Sequence, residues 1–322
     1  MTERERRKKP LIAVVGPTAC GKSELAVHLC ERFDGEIVSA DSMQIYRGMD
    51  IGTAKPSEAL LERVKHHMVG VVGVDTPFSV AQYCDMALAC LADICARGKI
   101  PFVVGGTGLY VDSLTDGIRF HGARTQPELR ARLQELLDEK GAQALLEMLR
   151  EKDPEAAALL HPNNMGRIIR ALEINIGLSM TKRRYNELSK TAPPPYDTLR
   201  LGLFFREREQ LYERINRRVD EMMDRGLLEE ARALYRYDSM PTAGQAIGYK
   251  ELHEYFEGRI PLDEAVELIK RRTRQYAKRQ MTWFSKHPST TVIHVDDYED
   301  IHQLSERAAE IVNEFLSRRD DR

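Results

Sequence analysis

Apolar positions in this chain come in two patterns: short uniform runs, and recurrences every three or four residues. Leu11–Val15 is uniformly apolar and has the length of a buried strand. Lys22–Phe33 is compatible with a helix, and Glu36–Ala40 reads as a second strand ending at Asp41-Ser42. Val69–Val74 reads as another short strand. In Ser79–Ala96, Val80, Cys84, Ala87 and Leu91 recur at helical spacing until Gly98 stops the run. Ile100–Val104 is a β-rich run that breaks at Gly105-Gly106-Thr107-Gly108. From Phe120 the character changes to charged amphipathic helices, over Pro127–Lys140, Ala142–Glu151 and Asn164–Ile176, with Asp153-Pro154 opening a further segment. Pro193–Pro195 forms a stiff connector.

Beyond it, Leu199–Phe205 is strand-like again. Glu207–Arg225 is a helix with Leu211, Ile215, Val219 and Met222 on its buried stripe and Arg214, Arg217 and Arg218 off it. Gly244–Lys250 reads as a glycine-punctuated loop, Leu262–Lys286 as a long helix, Thr291–Val295 as an edge strand and Ile301–Leu316 as a closing helix. Residues 1–10 read as a solvated, mobile arm. This alternation predicts an α/β fold: a parallel sheet core flanked by helices on both faces. We divide the chain into a first part of the core (11–120), an all-helical insertion (121–196) and a return to the core with C-terminal helices (197–316). The alternative is one continuous α/β domain with a helix-rich half. In such sheets ligands gather beyond the carboxyl ends of the strands. The turn after Val15, Asp41-Ser42 and Gly105–Gly108 should therefore face one crevice.

Composition narrows the classes. The 322 residues are 42% hydrophobic, enough for a sizeable core, and carry a net charge of −2. Without a global basic field, any nucleic-acid contact must use local patches. No stretch has the length and apolarity of a membrane span. The five cysteines (Cys20, Cys30, Cys84, Cys90, Cys95) form no CxxC pair, which suits a reduced cytoplasmic chain without structural zinc.

The chemistry begins at Gly16-Pro17-Thr18-Ala19-Cys20-Gly21-Lys22-Ser23, between a strand and a helix. This is the context of a phosphate-binding P-loop. Its backbone N–H groups converge on a phosphate at a helix N-terminus, Lys22 adds a point charge, and the Ser23 hydroxyl can ligate Mg²⁺. Cys20 reads as a small filler. Asp41, at a neighbouring strand end, is placed to act as a general base or a magnesium partner, or else to cap the segment that follows. An NTP-hydrolysing P-loop protein usually carries an aspartate after a second strand. Here Ile100–Val104 ends in Gly-Gly-Thr-Gly, so ordinary hydrolysis is disfavoured, and Thr107 offers one hydrogen bond but no strong base. In the long helix, Arg271, Arg274 and Lys278 share a face beside Arg272 and Arg279, and Tyr276 and Trp283 could stack on bases. Arg130, Arg132, Arg167 and Arg170 offer a second basic patch. The histidines show no metal-ligand spacing.

Together these residues resemble the tRNA dimethylallyltransferase family. The resemblance rests on 16–23, on the long block 41–56, on Val104–Tyr110, on His161-Pro162-Asn163 with Arg167–Glu173, on Gln245–Glu251 and on Ala277–Phe284. Asn164 departs from the family's usual aspartate. The resemblance implies a P-loop core with a helical insertion. It further implies transfer of a dimethylallyl group from dimethylallyl pyrophosphate to N6 of the adenosine 3′ of the anticodon, in tRNAs reading codons that begin with U. On the same basis Asp41, Ser42, Met43 and Gln44 contact the target base, with Asp41 and Thr107 catalytic. Thr107, Arg130, Arg167, Arg170 and Gln245 contact tRNA, and Arg218 joins the P-loop in holding pyrophosphate. The expected cofactor is Mg²⁺, and the expected state is a cytoplasmic monomer that also shows nucleotide binding. Two other readings compete: a small-molecule or nucleotide kinase with ATP in the P-loop, and a non-catalytic RNA-binding or nucleotide-switch module.

Overall fold

The uniformly apolar run from Leu11 to Val15 is fully buried because it lies inside a sheet covered on both faces. The computed structural model describes residues 8–120 and 127–320. Its elements run β1 (Lys9–Val15), α1 (Lys22–Arg32), β2 (Gly35–Ser39), α2 (Glu58–Arg63), β3 (His66–His67), α3 (Val80–Ala96), β4 (Ile100–Gly105) and α4 (Gly108–Thr115). Then follow α5 (Pro127–Lys152), α6 (Pro154–Ala158), α7 (Met165–Leu178) and α8 (Lys182–Ser189). The chain continues through β5 (Tyr196–Phe204), α9 (Arg208–Asp224), α10 (Leu227–Leu234), α11 (Tyr249–Phe256), α12 (Leu262–Ser285), β6 (Thr290–His294) and α13 (Ile301–Asp320).

Among the described residues the strands form one six-stranded sheet in the order β3-β2-β4-β1-β5-β6. Every neighbouring pair is parallel, with Val14 opposite both Val104 and Leu201. Alternate positions Ile12 and Val14 pack with Leu25, Leu29, Ala308 and Val312 of α1 and α13. The helices α3 and α4 pack against β4 and its neighbours. Among the described residues no helix is long and apolar enough to cross a membrane.

Of the described residues, those up to Thr115 and from Pro195 onward form one compact unit, and Asp116–Pro194 form a second. The second unit is helical. Its α5 breaks at Gly141, whose φ of 76° interrupts the helix between the two runs predicted there. Leu133, Leu145, Leu149, Ile168 and Leu172 make its core. Asp153 ties it together: Oδ1 accepts the Ala156 N–H at 3.1 Å to cap α6, and Oδ2 accepts the Lys182 N–H at 2.7 Å where α8 begins.

Three expectations need correction. Val69–Val74 is not a strand: the pairing residues are His66–His67, and only Val72 makes an isolated bridge, to Tyr46. Left-handed Met68 and Gly70 turn the chain, so the Gly70 and Val71 N–H groups go to the Gln44 and Ile45 carbonyls instead. Gly244–Lys250 is not all loop, because Tyr249 and Lys250 open α11. Glu251 closes that start by accepting the Gly248 N–H at 2.8 Å. The presumed N-terminal arm is shorter than 1–10, since Lys9 and Pro10 pair with Tyr196 and Asp197 in the sheet. Residues 1–7 of that arm, and 121–126 at the start of the expected insertion, lie outside the described residues.

Candidate active site

β1 delivers the chain to Gly16, and α1 receives it at Lys22. Gly21 caps the helix at φ 87°, a left-handed value that suits glycine. The loop is held from three sides. Lys22 Nζ donates to the Pro17 carbonyl at 3.1 Å. Arg214 Nε, from α9, donates to the Ala19 carbonyl at 3.1 Å. The Thr18 N–H donates to Gln280 Oε1, from α12, at 2.9 Å. Cys20 is fully buried in the core, so its sulfur acts as filler.

Gln280 is itself buried, and its Nε2 donates to the Gly106 carbonyl at 3.0 Å. It therefore links the P-loop to the turn after β4. The fit is close: a Cβ on Gly106 would lie 2.0 Å from Gln280 Nε2. Gln280→Ala would leave the Thr18 N–H and the Gly106 carbonyl without these partners. We expect kcat/KM for the phosphate-bearing substrate to fall about 100-fold, the scale of a small misplacement of a binding group. Steady-state kinetics check this, and unchanged kinetics would mean that the loop holds its shape unaided.

Asp41 follows β2 and serves two purposes. Oδ1 accepts the N–H groups of Met43 (2.9 Å) and Gln44 (3.3 Å), capping the turn. Oδ2 makes no hydrogen bond among the described residues and is left for a ligand. Thr107 Oγ1 accepts the Ser42 N–H at 3.0 Å and donates to Ser42 Oγ at 3.3 Å, so it steadies the same turn. Gln44 Nε2 donates to the carbonyls of Thr53 (3.2 Å) and Ala54 (3.0 Å).

A cavity of about 270 Å³ gathers these parts. Its polar residues include Thr18, Asp41, Ser42, Arg218, Gln245 and Arg279, and Met43 lies beside them. Its apolar wall is Ile215, Val219 and Met222 of α9 with Leu227 and Ile269. Arg218 is half-buried and makes no ion pair among the described residues. Burial pushes its guanidinium below the usual value, while Asp41 and Cys20 pull the other way. The Tyr276 phenol, also lining the cavity, is pushed up to about 12 by burial first and the Asp41 charge second. Ser23 Oγ stands at the start of α1 and makes no hydrogen bond among the described residues. One free hydroxyl beside a phosphate cradle fits Mg²⁺, which takes most of its ligands from phosphate and water.

The structure thus brings Thr18, Asp41, Ser42, Met43, Arg218 and Gln245 to one cavity, beside the P-loop. Arg130, Arg167 and Arg170 lie in the second unit. There the buried Glu173 accepts Arg130 Nη1 at 3.0 Å and Arg170 Nη1 at 3.1 Å, and Arg167 is exposed. The basic helix is more heterogeneous than a stripe: Arg274 is bonded to Asn216, Trp283 Nε1 donates to Asp112 at 2.8 Å, and Arg279 lines the cavity.

A family model described as IPP transferase matches residues 44–287, and one described as isopentenyl transferase matches 9–70. The chain belongs to the tRNA dimethylallyltransferase family. A tRNA dimethylallyltransferase of Caldanaerobacter subterraneus subsp. tengcongensis is 46% identical over 303 residues, covering 93% of this chain and 96% of the relative. A tRNA dimethylallyltransferase 2 of Geotalea daltonii is 48% identical over 285 residues, 88% of this chain and 87% of its own. Among solved structures, the tRNA isopentenylpyrophosphate transferase of Bacillus halodurans matches with a TM-score of 0.72 at 39% identity, covering 98% of this chain and 99% of that one. A eukaryotic dimethylallyltransferase described as acting on tRNA matches with a TM-score of 0.82 at 31% identity, over 96% of this chain and 80% of its own. The enzyme is a transferase of this family, and the comparisons lend no support to the kinase alternative.

Proposed function

We propose that this member of the family moves the dimethylallyl group of dimethylallyl pyrophosphate to N6 of the adenosine 3′ of the anticodon, in tRNAs reading codons that begin with U, and releases pyrophosphate. One observation carries the reading: a single cavity joins a phosphate-loop residue, an arginine and a carboxylate to an apolar wall. A diphosphate with a short branched hydrocarbon tail needs both surfaces.

In this scheme the P-loop N–H groups, Lys22 and Arg218 receive the diphosphate, and its negative charge grows as the allylic C–O bond breaks. Preorganised donors aimed at that growing charge lower the barrier. Ile215, Val219 and Met222 keep water from the allylic carbon. The adenine amine is a poor nucleophile, because its lone pair is delocalised into the ring. Asp41 Oδ2 orients it and accepts a proton as the C–N bond forms. Mg²⁺, when held by Ser23 Oγ and the diphosphate, would offset charge on the leaving group. No water has to be activated, which accounts for the lack of a carboxylate after β4. The adenosine must leave the stacked anticodon loop, at a cost of about a few kcal/mol. Phosphate contacts from Arg130, Arg167 and Arg170 offset that cost, and Gln245 contacts the tRNA at the cavity. In this reading the protein acts as a monomer on cytoplasmic tRNA.

The test is mass spectrometry of nucleosides from tRNA incubated with the protein, Mg²⁺ and dimethylallyl pyrophosphate. Prenylated adenosine is the expected product. Unmodified tRNA together with phosphate moved from ATP to an alcohol or nucleotide would overturn the proposal.

A further inference from the structure

Glu230 lies on α10, outside every sequence block that carries the family resemblance, yet it ties two of those blocks together. Its carboxylate accepts three consecutive backbone N–H groups: Asp50 at 2.9 Å, Ile51 at 2.9 and 3.1 Å to its two oxygens, and Gly52 at 3.0 Å. It also accepts the Tyr249 hydroxyl at 2.6 Å. Successive amides converging on one anion form a nest, and here a side chain of the protein fills it.

The turn so gripped is not relaxed. Ala54 sits at φ 52°, a left-handed value unusual for a residue with a Cβ. The turn closes by bonds from Ala54 N–H to the Ile51 carbonyl (2.9 Å) and from Lys55 N–H to the Asp50 carbonyl (3.0 Å). Tyr249 leaves no slack on the other side: a Cβ on Gly52 would meet its ring at 2.7 Å. The output of the turn is the pair of carbonyls, Thr53 and Ala54, that hold Gln44 Nε2. Gln44 is three residues from Asp41, and Gly52, Thr53 and Ala54 themselves line the cavity.

We propose that Glu230 is a positioning residue for the acceptor side of the reaction. It fixes the Asp50–Ala54 turn and, through it, the amide of Gln44 and the cavity wall against which the target adenosine is presented. The inference rests on the prenyl-transfer reading above. It differs from a merely structural staple in one respect: its loss acts on the nucleoside acceptor and not on the diphosphate, because among the described residues its carboxylate bonds only to Asp50, Ile51, Gly52 and Tyr249 and not to the P-loop.

The test varies tRNA and dimethylallyl pyrophosphate separately in steady-state assays of wild type, Glu230→Ala, Glu230→Gln and Tyr249→Phe, with thermal melts alongside. In Glu230→Ala we expect kcat/KM for tRNA to fall about 10- to 100-fold, the scale of a displaced positioning group, with KM for dimethylallyl pyrophosphate unchanged. Glu230→Gln keeps one acceptor oxygen but turns an NH₂ toward backbone donors, so it should fall between wild type and Ala. Tyr249→Phe removes one bond and leaves the nest, so its loss should be smaller. Should the Ala variant fail to fold, Glu230→Gln decides by the same split between substrates. Unchanged tRNA kinetics in a folded variant, or equal losses for both substrates, would overturn the proposal. Absence of product with the wild type would instead overturn the transfer reading itself.

Discussion

Asp41→Asn is expected to lower the rate of prenyl transfer by about 10²- to 10⁴-fold, the usual contribution of a positioned general base, while tRNA binding is retained. The geometry separates the two jobs of this residue. Oδ1 is committed to the Met43 and Gln44 N–H groups, and an asparagine oxygen can accept the same bonds. The turn that presents Ser42, Met43 and Gln44 should therefore survive. What disappears is the second oxygen with its charge, the one group at this strand end able to take a proton from the amine. Asp41→Ala makes the contrast: it removes the cap as well, so it should weaken tRNA binding in addition to abolishing transfer. Single-turnover assays at saturating dimethylallyl pyrophosphate, paired with direct tRNA binding, read the two effects separately. If Asp41→Asn turns over at the wild-type rate, the carboxylate is only a cap and proton removal lies elsewhere.

That dual use marks where sequence reading reached and where it stopped. β1, β4 and the P-loop announce themselves locally, because a buried parallel strand must be continuously apolar and a phosphate turn needs glycines at fixed offsets. Asp41 was legible as a carboxylate at a strand end; of its candidate roles the cap is formed by Oδ1, and Oδ2 makes no hydrogen bond among the described residues. Gln280 and Glu230 had no such local mark. Gln280 meets Thr18 across 262 residues, and Glu230 meets Asp50 across 180. A lone glutamine or glutamate on an amphipathic helix looks the same whether it faces solvent or a distant loop. Gln280 sits within the resemblance block 277–284, whereas Glu230 sits in none. Arg214 shows the same limit: periodicity removed it from the apolar stripe of α9 but could not say that the off-stripe face meets the Ala19 carbonyl. The helices α2, α4, α8 and α10 escaped because six to eight residues are too few to display a period.

Arg218 supplies the second large effect. A half-buried guanidinium with no ion-pair partner among the described residues is a destabilised charge, and the lowering of its pKa by burial expresses that cost. A fold that needed only stability would fill this place with an apolar side chain, as Ile215, Val219 and Met222 do beside it. The charge makes sense when the diphosphate completes it. Arg218→Ala is therefore expected to leave the melting temperature unchanged or raised, while kcat falls about 10²- to 10³-fold, the scale of losing one donor to a developing negative charge. Arg218→Lys should recover only part of this, since a single ammonium cannot replace a planar two-pronged donor. Lys22→Ala should lose turnover and dimethylallyl pyrophosphate affinity together, because Lys22 Nζ, now on the Pro17 carbonyl, is the cation of the phosphate loop itself. The pair acts on one leaving group, so the double variant should be less impaired than the product of the two single losses predicts. Normal kinetics in both single variants would sink the leaving-group assignment. A fall in melting temperature for Arg218→Ala would recast that residue as a structural one.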